Sequence, residues 1–147
     1  AGLSVDDLMN LDLAYAPAFV SAKDAINLTG YVGNNSLWGT TLTIQWHQLK
    51  EAMQQGTLLV DVRTQEENSA GSIPGSILVP IDTLRENIEQ LKGKEVVVTC
   101  AVGQRGHTAT QLLRSHGISV QNLDGGYTTW RAGMDARERA KVASTAL

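Results

Sequence analysis

The sequence predicts a small α/β domain in which a mostly parallel sheet is flanked by helices, preceded by a short helical segment. Short apolar runs rich in β-branched residues, typical of buried parallel strands, alternate with stretches whose apolar residues recur every three or four positions. Gly56, Gly93 and Gly117 follow three of those stretches, where the end of a helix favours glycine. Alternating strands and helices over about 95 residues indicate a parallel α/β sheet.

Length, charge and cysteine content limit the class of protein. The 147 residues suffice for one compact domain and some additional length. The formal net charge of −3 gives no basic field, which argues against nucleic acid or an anionic membrane as a partner. No apolar run approaches the ~20 residues that span a bilayer, and no signal-peptide pattern opens the chain. One cysteine excludes an internal disulfide and suits a reducing compartment, so we expect a cytoplasmic protein.

Residues 1–39 differ in character from the rest and are predicted to form two short helices. Ser4, followed by two aspartates, can cap the first helix because carboxylates favour the positive end of a helix dipole. Pro17 ends that helix, and Ser21 can cap a second helix that runs towards Tyr31. Two short helices bury too little apolar surface to fold alone, so we expect this segment to dock on something else.

Residues 40–135 contain the alternating elements and are predicted to form the main domain. The predicted strands are residues 58–60, 77–79, 95–99 and 119–121. The predicted helices are residues 46–54, 84–91 and 108–115. Residues 136–147 are charged and then rich in small residues, which predicts a surface helix that frays into a C-terminal tail.

The most informative stretch surrounds Cys100, which directly follows a predicted buried strand. In open parallel sheets, ligands bind at the carboxyl ends of the strands. Gly103 and Gly106 allow the backbone to curl into a nest of inward-pointing N–H groups, and a helix begins beside them. Such donors stabilise a thiolate, the nucleophilic form, and would equally stabilise a persulfide anion. Arg105 adds a permanent positive charge suited to an oxyanion substrate.

A lone cysteine is more often a buried structural residue than a nucleophile. The coincidence of strand end, glycine loop, helix start and arginine favours the reactive interpretation here. Asp61 and Arg63 end a neighbouring predicted strand and are candidate supporting residues. Asp61 either orders the active loop, by accepting N–H bonds or pairing with Arg105, or has a purely structural role at the strand end.

Other residues near the predicted loop allow two interpretations each. Gly125 and Gly126 either let the backbone pass close to the loop or simply form a turn. Trp46 and Trp130 are expected in the core rather than as a substrate platform. His107 is expected to be an exposed bystander rather than a proton-transfer group. The three histidines lack the partners and spacing of a metal site, so no metal is expected.

Three motifs in order make residues 57–133 resemble a rhodanese domain. Residues 59–63 (LVDVR) and 71–76 (GSIPGS) are similar to the family's "DVR … GHIPGA" signature, and residues 123–130 (LDGGYTTW) to its closing "L-x-G-G-x-x-x-W" signature. Residues 100–105 match its six-residue active loop. Ser72 and Asn68 depart from the family's usual histidine and aromatic residue.

The resemblance implies a central, mostly parallel five-stranded sheet and sulfur transfer through a persulfide on Cys100. It also implies that the persulfide or substrate is bound by a set of loop residues: Ala101, Val102, Gly103, Gln104, Arg105 and Gly106. The implied partners are a small-molecule sulfur donor, such as thiosulfate or a low-molecular-weight persulfide, and a thiol acceptor. Rhodanese-like phosphatases have five residues between cysteine and arginine, whereas this chain has four, which suits sulfane sulfur rather than phosphate.

Residues 10–27 carry a second resemblance, to the end of the dimerisation domain of flavin-dependent coenzyme A disulfide or persulfide reductases. Some members of that family carry a fused rhodanese domain. The resemblance implies that this chain is the C-terminal portion of a homodimeric enzyme, with residues 1–39 as the end of its dimerisation domain. FAD, NAD(P)H and coenzyme A are expected only in that full-length parent. Tyr15 matches a tyrosine that reaches towards the partner's reductase site.

Two alternatives remain open at the level of sequence. The chain could be a free-standing thiosulfate or persulfide sulfurtransferase whose N-terminal helices are its own addition. It could also be a non-catalytic rhodanese module that binds a partner, although members of that class usually lack the cysteine that this chain has at position 100.

Overall fold

The computed structural model describes residues 2–13 and 24–145. The chain divides into two compact units, Ala1–Thr40 and Thr41–Leu147. The assignment of residues 1–39 to an N-terminal segment and of residues 40–135 to the main domain stays a prediction.

The first unit contains helix α1, Val5–Met9, and helix α2, Ala25–Leu37. The side chain of Asn27 donates hydrogen bonds to carbonyl oxygens at the end of α1 and beyond, including those of Leu8 at 3.1 Å and Leu11 at 3.1 Å. Gly30 is buried where the two helices meet, because a Cβ there would lie 2.6 Å from the backbone nitrogen of Met9. The backbones of the two helices therefore lie in direct contact at Gly30.

Of the two N-terminal helix caps predicted for the first unit, the cap of α1 is confirmed and the cap of α2 is a different residue. Ser4 caps α1 as predicted: its hydroxyl accepts from the backbone of Asp7, whose carboxylate accepts from the backbone of Ser4 at 2.7 Å. Helix α2 instead has Asp24 as its cap and continues beyond Tyr31 to Leu37. The predicted cap Ser21 and the predicted break at Pro17 lie outside the described residues.

The second unit is built on a five-stranded sheet in the order β1-β5-β4-β2-β3. The strands are β1 Thr43–Ile44, β2 Leu58–Asp61, β3 Ile77–Leu78, β4 Glu95–Thr99 and β5 Ser119–Leu123. All four strand pairings are parallel. The predicted α/β class and five-stranded sheet are thus confirmed, and the four strands located from sequence are all present. The short strand β1 was missed because two residues give no detectable pattern.

The helices of this unit are α3 Leu49–Gln54, α4 Gln65–Ser69, α5 Ile88–Leu91, α6 Gln104–Ser115 and α7 Gly126–Thr145, with a 3₁₀-helix at Ile81–Asn87. The helix predicted over residues 84–91 is therefore half 3₁₀-helix, over residues 84–87, and half α-helix, in α5. Helix α4 was not predicted. Residues 136–145, predicted as a surface helix, form the second half of α7. No helix among the described residues is both long and apolar enough to cross a membrane.

Helices cover both faces of the sheet. On one face, alternate strand residues such as Val96 and Val98 pack with buried residues of α5 and α6, including Leu113. On the other face, residues such as Val97 pack with α3 and with the start of α7. This alternation along β4 is the period of two expected of a strand buried on both sides. β4 is the central strand of the sheet, so whatever follows it lies between covered faces.

Candidate active site

Cys100 directly follows the central strand β4, at the edge of the sheet where the strands have their carboxyl ends. Its side chain is 1% exposed and packs with the apolar cluster beneath α6. The sulfur accepts a hydrogen bond from the backbone N–H of Gly103 at 3.1 Å. The thiol is thus placed at the base of a short loop, with a backbone donor already directed at the sulfur.

The active loop, residues 100–105, leads into helix α6 through a turn at Gly103. Its φ of +99° lies in the left-handed region, where a side chain is strained, and it occupies the position before the first residue of α6. Its carbonyl accepts from the N–H of His107 at 2.9 Å, which closes the first turn. The loop therefore meets the positive end of a 12-residue helix, where backbone N–H groups lack partners within the helix.

The first turn of α7 holds the opposite side of the loop. The N–H groups of Tyr127 and Thr128 donate to the carbonyls of Cys100 at 2.8 Å and Ala101 at 3.0 Å. These two donors are among the four N–H groups that a helix start leaves without intrahelical partners. The contact therefore gives hydrogen-bond partners both to the N–H groups of α7 and to the carbonyls of the loop. Because a trans peptide directs its carbonyl and N–H to opposite sides, the N–H groups of Ala101 and Val102 point away from α7.

Gly126 makes this close contact possible. Its φ is +58°, and a Cβ there would overlap the carbonyl of Cys100 and lie 2.9 Å from the carbonyl carbon of Ala101. Of the two interpretations given to Gly125 and Gly126, close passage of the backbone is therefore the one that the structure shows for Gly126. Gly125 also has a positive φ, of +68°, and forms the turn that leads into it.

Asn122, on the adjacent strand β5, supports the loop from within the unit. Its side-chain nitrogen donates to the carbonyl of Gly103 at 3.0 Å. Its side-chain oxygen is buried without a hydrogen-bond partner among the described residues, and a Cβ at Gly106 would overlap it. A glycine at position 106 is therefore required for α6 to approach Asn122 this closely.

Arg105 is paired with Glu67 of α4 in a bidentate arrangement. The two guanidinium nitrogens donate to the two carboxylate oxygens at 2.7 and 2.6 Å. The hydrogen bond from Arg105, followed by one from the backbone of Thr64, lowers the pKa of Glu67 from 4.5 to about 2. In return, the hydrogen bond to Glu67 raises the pKa of Arg105 above its ordinary value.

Asp61 and Arg63 form a separate buried ion pair at the end of β2. The guanidinium of Arg63 donates to Asp61 at 2.7 Å and to the carbonyl of Gly71 at 2.8 Å. The pairing of Asp61 with Arg105 suggested from sequence is therefore not the one formed. The side chain of Asn68, in place of the family's usual aromatic residue, donates to Asp61 at 3.0 Å.

The other residues noted in the sequence lie around the loop, in the core or outside the described residues. His107 is half-buried rather than exposed, and its Nδ1 lies 2.5 Å from the hydroxyl of Thr41. Trp46 and Trp130 pack against the second apolar cluster, as expected of core residues. Tyr15 lies outside the described residues.

Sequence reasoning missed Glu67 and Asn122. A signal for Glu67 was present, since Thr64 and Glu67 are spaced as a capping box, and both of its hydrogen bonds occur in the structure. No sequence pattern distinguishes Asn122 from any other polar residue in a strand. Within residues 2–13 and 24–145, no three His, Cys, Asp or Glu side chains are grouped as metal ligands would be.

This arrangement suits nucleophilic chemistry on sulfur. A thiolate at Cys100 would gain the Gly103 N–H bond and the field of α6. The same donors would stabilise negative charge on a second sulfur bound to the first. The loop carries one cationic side chain, Arg105, but that charge is already matched by Glu67.

Comparison with known proteins identifies a family and a set of relatives. A model of the rhodanese-like domain matches residues 45–133. The thiosulfate:glutathione sulfurtransferase of Homo sapiens is 31% identical over 105 residues, covering 60% of this chain and 91% of that protein.

Two solved structures resemble a larger part of the chain. Reduced CoADR-RHD of Bacillus anthracis is 40% identical with a TM-score of 0.83 over 87% of this chain. A NAD-dependent persulfide reductase from A. fulgidus is 35% identical with a TM-score of 0.76 over 88% of it. The match covers 23% of each solved chain, so this chain spans about a quarter of their length. Residues 41–147 alone are too few for such coverage, so the likeness includes part of the first unit.

Replacing Gly126 with alanine should displace the active loop. We expect Gly126→Ala to lower the free energy of unfolding by about 1–3 kcal/mol more than Gly117→Ala does, because the new Cβ overlaps the loop backbone. Gly117→Ala is the matched control, with a similar φ of +75° and no atom within 4 Å of its Cβ. Urea unfolding measures both values, and equal losses would contradict the close contact.

The Glu67–Arg105 pair should make stability depend on acid pH. Because the pKa of Glu67 falls from 4.5 to about 2 on folding, its stabilisation is complete above pH 4.5 and is lost as the pH approaches 2. Glu67→Gln lacks this contribution. We therefore expect the difference in unfolding free energy between the wild type and Glu67→Gln to shrink over that range, measured by urea unfolding at a series of pH values. A difference that stays constant down to pH 2 would show that the pair does not form.

Proposed function

Because the chain belongs to the rhodanese-like domain family, we propose that it transfers sulfane sulfur through a persulfide on Cys100. The strongest support for this proposal is the hydrogen bond at the base of the active loop. The backbone nitrogen of Gly103 lies 3.1 Å from the sulfur of Cys100 and donates to it. The rigid attachment of that loop to α7 keeps the donor in position before any substrate arrives.

The first step loads sulfur onto the protein. The Cys100 thiolate attacks the outer sulfur of the donor, a new S–S bond forms, and the donor's own S–S or sulfur–sulfonate bond breaks. Thiosulfate releases sulfite and leaves Cys100 as a persulfide anion. A low-molecular-weight persulfide, RS–SH, releases the thiolate RS⁻ and leaves Cys100 as Cys–S–SH. The backbone donors around the loop stabilise the charge that develops on the added sulfur.

The second step returns the cysteine to its starting state. An acceptor thiolate attacks the outer sulfur of the Cys100 persulfide, forms its own S–S bond and expels the Cys100 thiolate. The outer sulfur must remain accessible for this attack. Ala101, Gly103 and Arg105 are half-buried and Val102 is exposed, so a small thiol can approach over the loop. The likeness to the human thiosulfate:glutathione sulfurtransferase supports a small thiol such as glutathione as the acceptor.

We further propose that the chain is the C-terminal part of a homodimeric reductase of coenzyme A disulfide or persulfide. The likeness to CoADR-RHD and to the NAD-dependent persulfide reductase, which includes part of the first unit, supports this proposal. FAD and NAD(P)H would supply the reducing electrons in that parent. The only cysteine in these 147 residues is Cys100, so the reductase's redox cysteine would belong to the other part of the protein. Tyr15 would approach the reductase site of the partner subunit.

The first unit has the surface that such a parent would need to cover. Several apolar side chains of α2 and its flank are exposed: Leu28 at 44%, Val32 at 66%, Leu37 at 73% and Trp38 at 75%. A two-helix unit that exposes this much apolar surface gains little from folding by itself. Covering this surface with the remainder of a reductase would supply the missing burial.

Cys100 should carry one added sulfur after treatment with a donor. We expect intact-mass measurement of the chain to show a gain of about 32 Da with thiosulfate or with glutathione persulfide, reversed by a reductant. Cys100→Ser is the matched control and should gain nothing, because it replaces only the sulfur atom that reacts. A wild-type chain that gains no mass with either donor would contradict the catalytic proposal and favour a binding module.

The proposed parent should be visible in the gene. We expect the reading frame upstream of Ala1 to encode FAD- and NAD(P)H-binding domains, because the resemblance of the first unit is to the end of a reductase. The full-length protein should then oxidise NAD(P)H when a persulfide of coenzyme A is added. A start codon directly before Ala1, with no upstream domains, would favour a free-standing sulfurtransferase instead.

A further inference from the structure

Arg105, the cationic side chain of the active loop, already has an anionic partner. Its Nη1 and Nη2 atoms donate to the two carboxylate oxygens of Glu67 at 2.7 and 2.6 Å. A bidentate pair of this kind uses the same parallel donors that a guanidinium would offer to an oxyanion. The two side chains are 35% and 34% exposed, so solvent and small anions can reach the pair.

Glu67 is fixed in this position by contacts that do not involve Arg105. Its carboxylate accepts the backbone N–H of Thr64 at 3.0 Å, as part of the capping box of α4. Its own carbonyl accepts from the guanidinium of Arg63 at 3.3 Å, and Arg63 is fixed by the buried carboxylate of Asp61. Glu67 cannot turn away from Arg105 without giving up the cap of α4.

Two ion pairs lie between the end of β2 and the active loop, and the charges of their four side chains sum to zero. They alternate in sign from the end of β2 to the active loop: Asp61, Arg63, Glu67 and Arg105. The exposed side chains of the loop are uncharged, with Val102 at 63% exposure and Gln104 also exposed. Arg105 is the one cationic side chain of the active loop, residues 100–105, so a dianion that binds it must compete with the carboxylate of Glu67.

From this geometry we propose that Glu67 is a positioning residue that sets donor selectivity by keeping Arg105 in an ion pair. Thiosulfate carries its two negative charges on the transferred sulfur and on the sulfonate oxygens two bonds away, so binding of the sulfonate to Arg105 must displace the Glu67 carboxylate. A persulfide carries an uncharged carbon on its leaving sulfur and has no need of Arg105 at that atom. The inference rests on the proposed sulfur transfer through Cys100 and adds the residue that discriminates between its donors.

Glu67→Gln tests this role with little change in shape. Glutamine retains the capping box, because the N3 position of a helix accepts either residue, while the charge that engages Arg105 is removed. We expect the ratio of kcat/KM for thiosulfate to kcat/KM for glutathione persulfide to rise about fivefold, a typical upper effect for a partly exposed ion pair. The rise should come from a lower KM for thiosulfate, since the pair competes with binding and takes no part in the S–S exchange.

Glu66→Gln is the matched control. Glu66 neighbours Glu67 on α4 and is exposed, and the ion pair of Arg105 is made with Glu67. It removes the same charge from the same helix, so any general effect of charge on an anionic donor should appear in both variants. The selectivity ratio of Glu66→Gln should match that of the wild type. Equal shifts in the two variants, or an unchanged ratio in Glu67→Gln, would overturn the assignment of selectivity to Glu67.

A binding measurement separates this inference from the sulfur transfer itself. In a Cys100→Ser background, which cannot accept sulfur, calorimetry with thiosulfate should show about fivefold tighter binding when Glu67→Gln is added. Tighter binding without any sulfur loading of the wild type would support the role of Glu67 and contradict the proposed function. Sulfur loading of the wild type with no tightening would do the reverse.

Discussion

The two hydrogen bonds from the first turn of α7 to the carbonyls of Cys100 and Ala101 are the contacts on which the site depends. They use helix N–H groups that would otherwise lack partners, and they orient two successive peptides of the active loop. Gly126 is the residue that permits the contact, since any side chain there would meet the loop backbone. The loop is thereby fixed between two helix starts: α6 continues from it, and α7 holds it from outside.

A chain of charged side chains connects the buried end of β2 to the exposed edge of the active loop. Arg63 lies over the ring of Tyr127, with the guanidinium carbon 4.3 Å from the ring centre, and also donates to the carbonyl of Glu67. Tyr127 supports Cys100 through its backbone, and Glu67 engages Arg105. Through these contacts one buried ion pair at the end of β2 positions both the base of the active loop and its charged edge. A rigid loop with a neutralised charge favours chemistry on a small sulfur donor over tight binding of an oxyanion.

The sequence was sufficient to predict the sheet and the place of Cys100 directly after a buried strand. Residues 96–99 of the central strand are buried, and Cys100 follows them directly. An apolar run that ends at a cysteine therefore places that cysteine at the carboxyl end of a buried strand, where ligands bind in parallel sheets. The partner of Arg105 was not predicted because it comes from α4, a five-residue helix too short to show periodicity. Asn122 was not predicted because its importance depends on the distance between β5 and Gly106, which only the packed structure defines.

We expect the active loop to hold a persulfide on Cys100 without changing its attachment to α7. A high-resolution crystal structure of the protein after exposure to thiosulfate tests this most directly. We predict a second sulfur bonded to Cys100 and within hydrogen-bonding distance of N–H groups of the loop, with the bonds from Tyr127 and Thr128 unchanged from 2.8 and 3.0 Å. An added sulfur that points away from the loop, or a loop detached from α7, would contradict a persulfide held by the loop N–H groups.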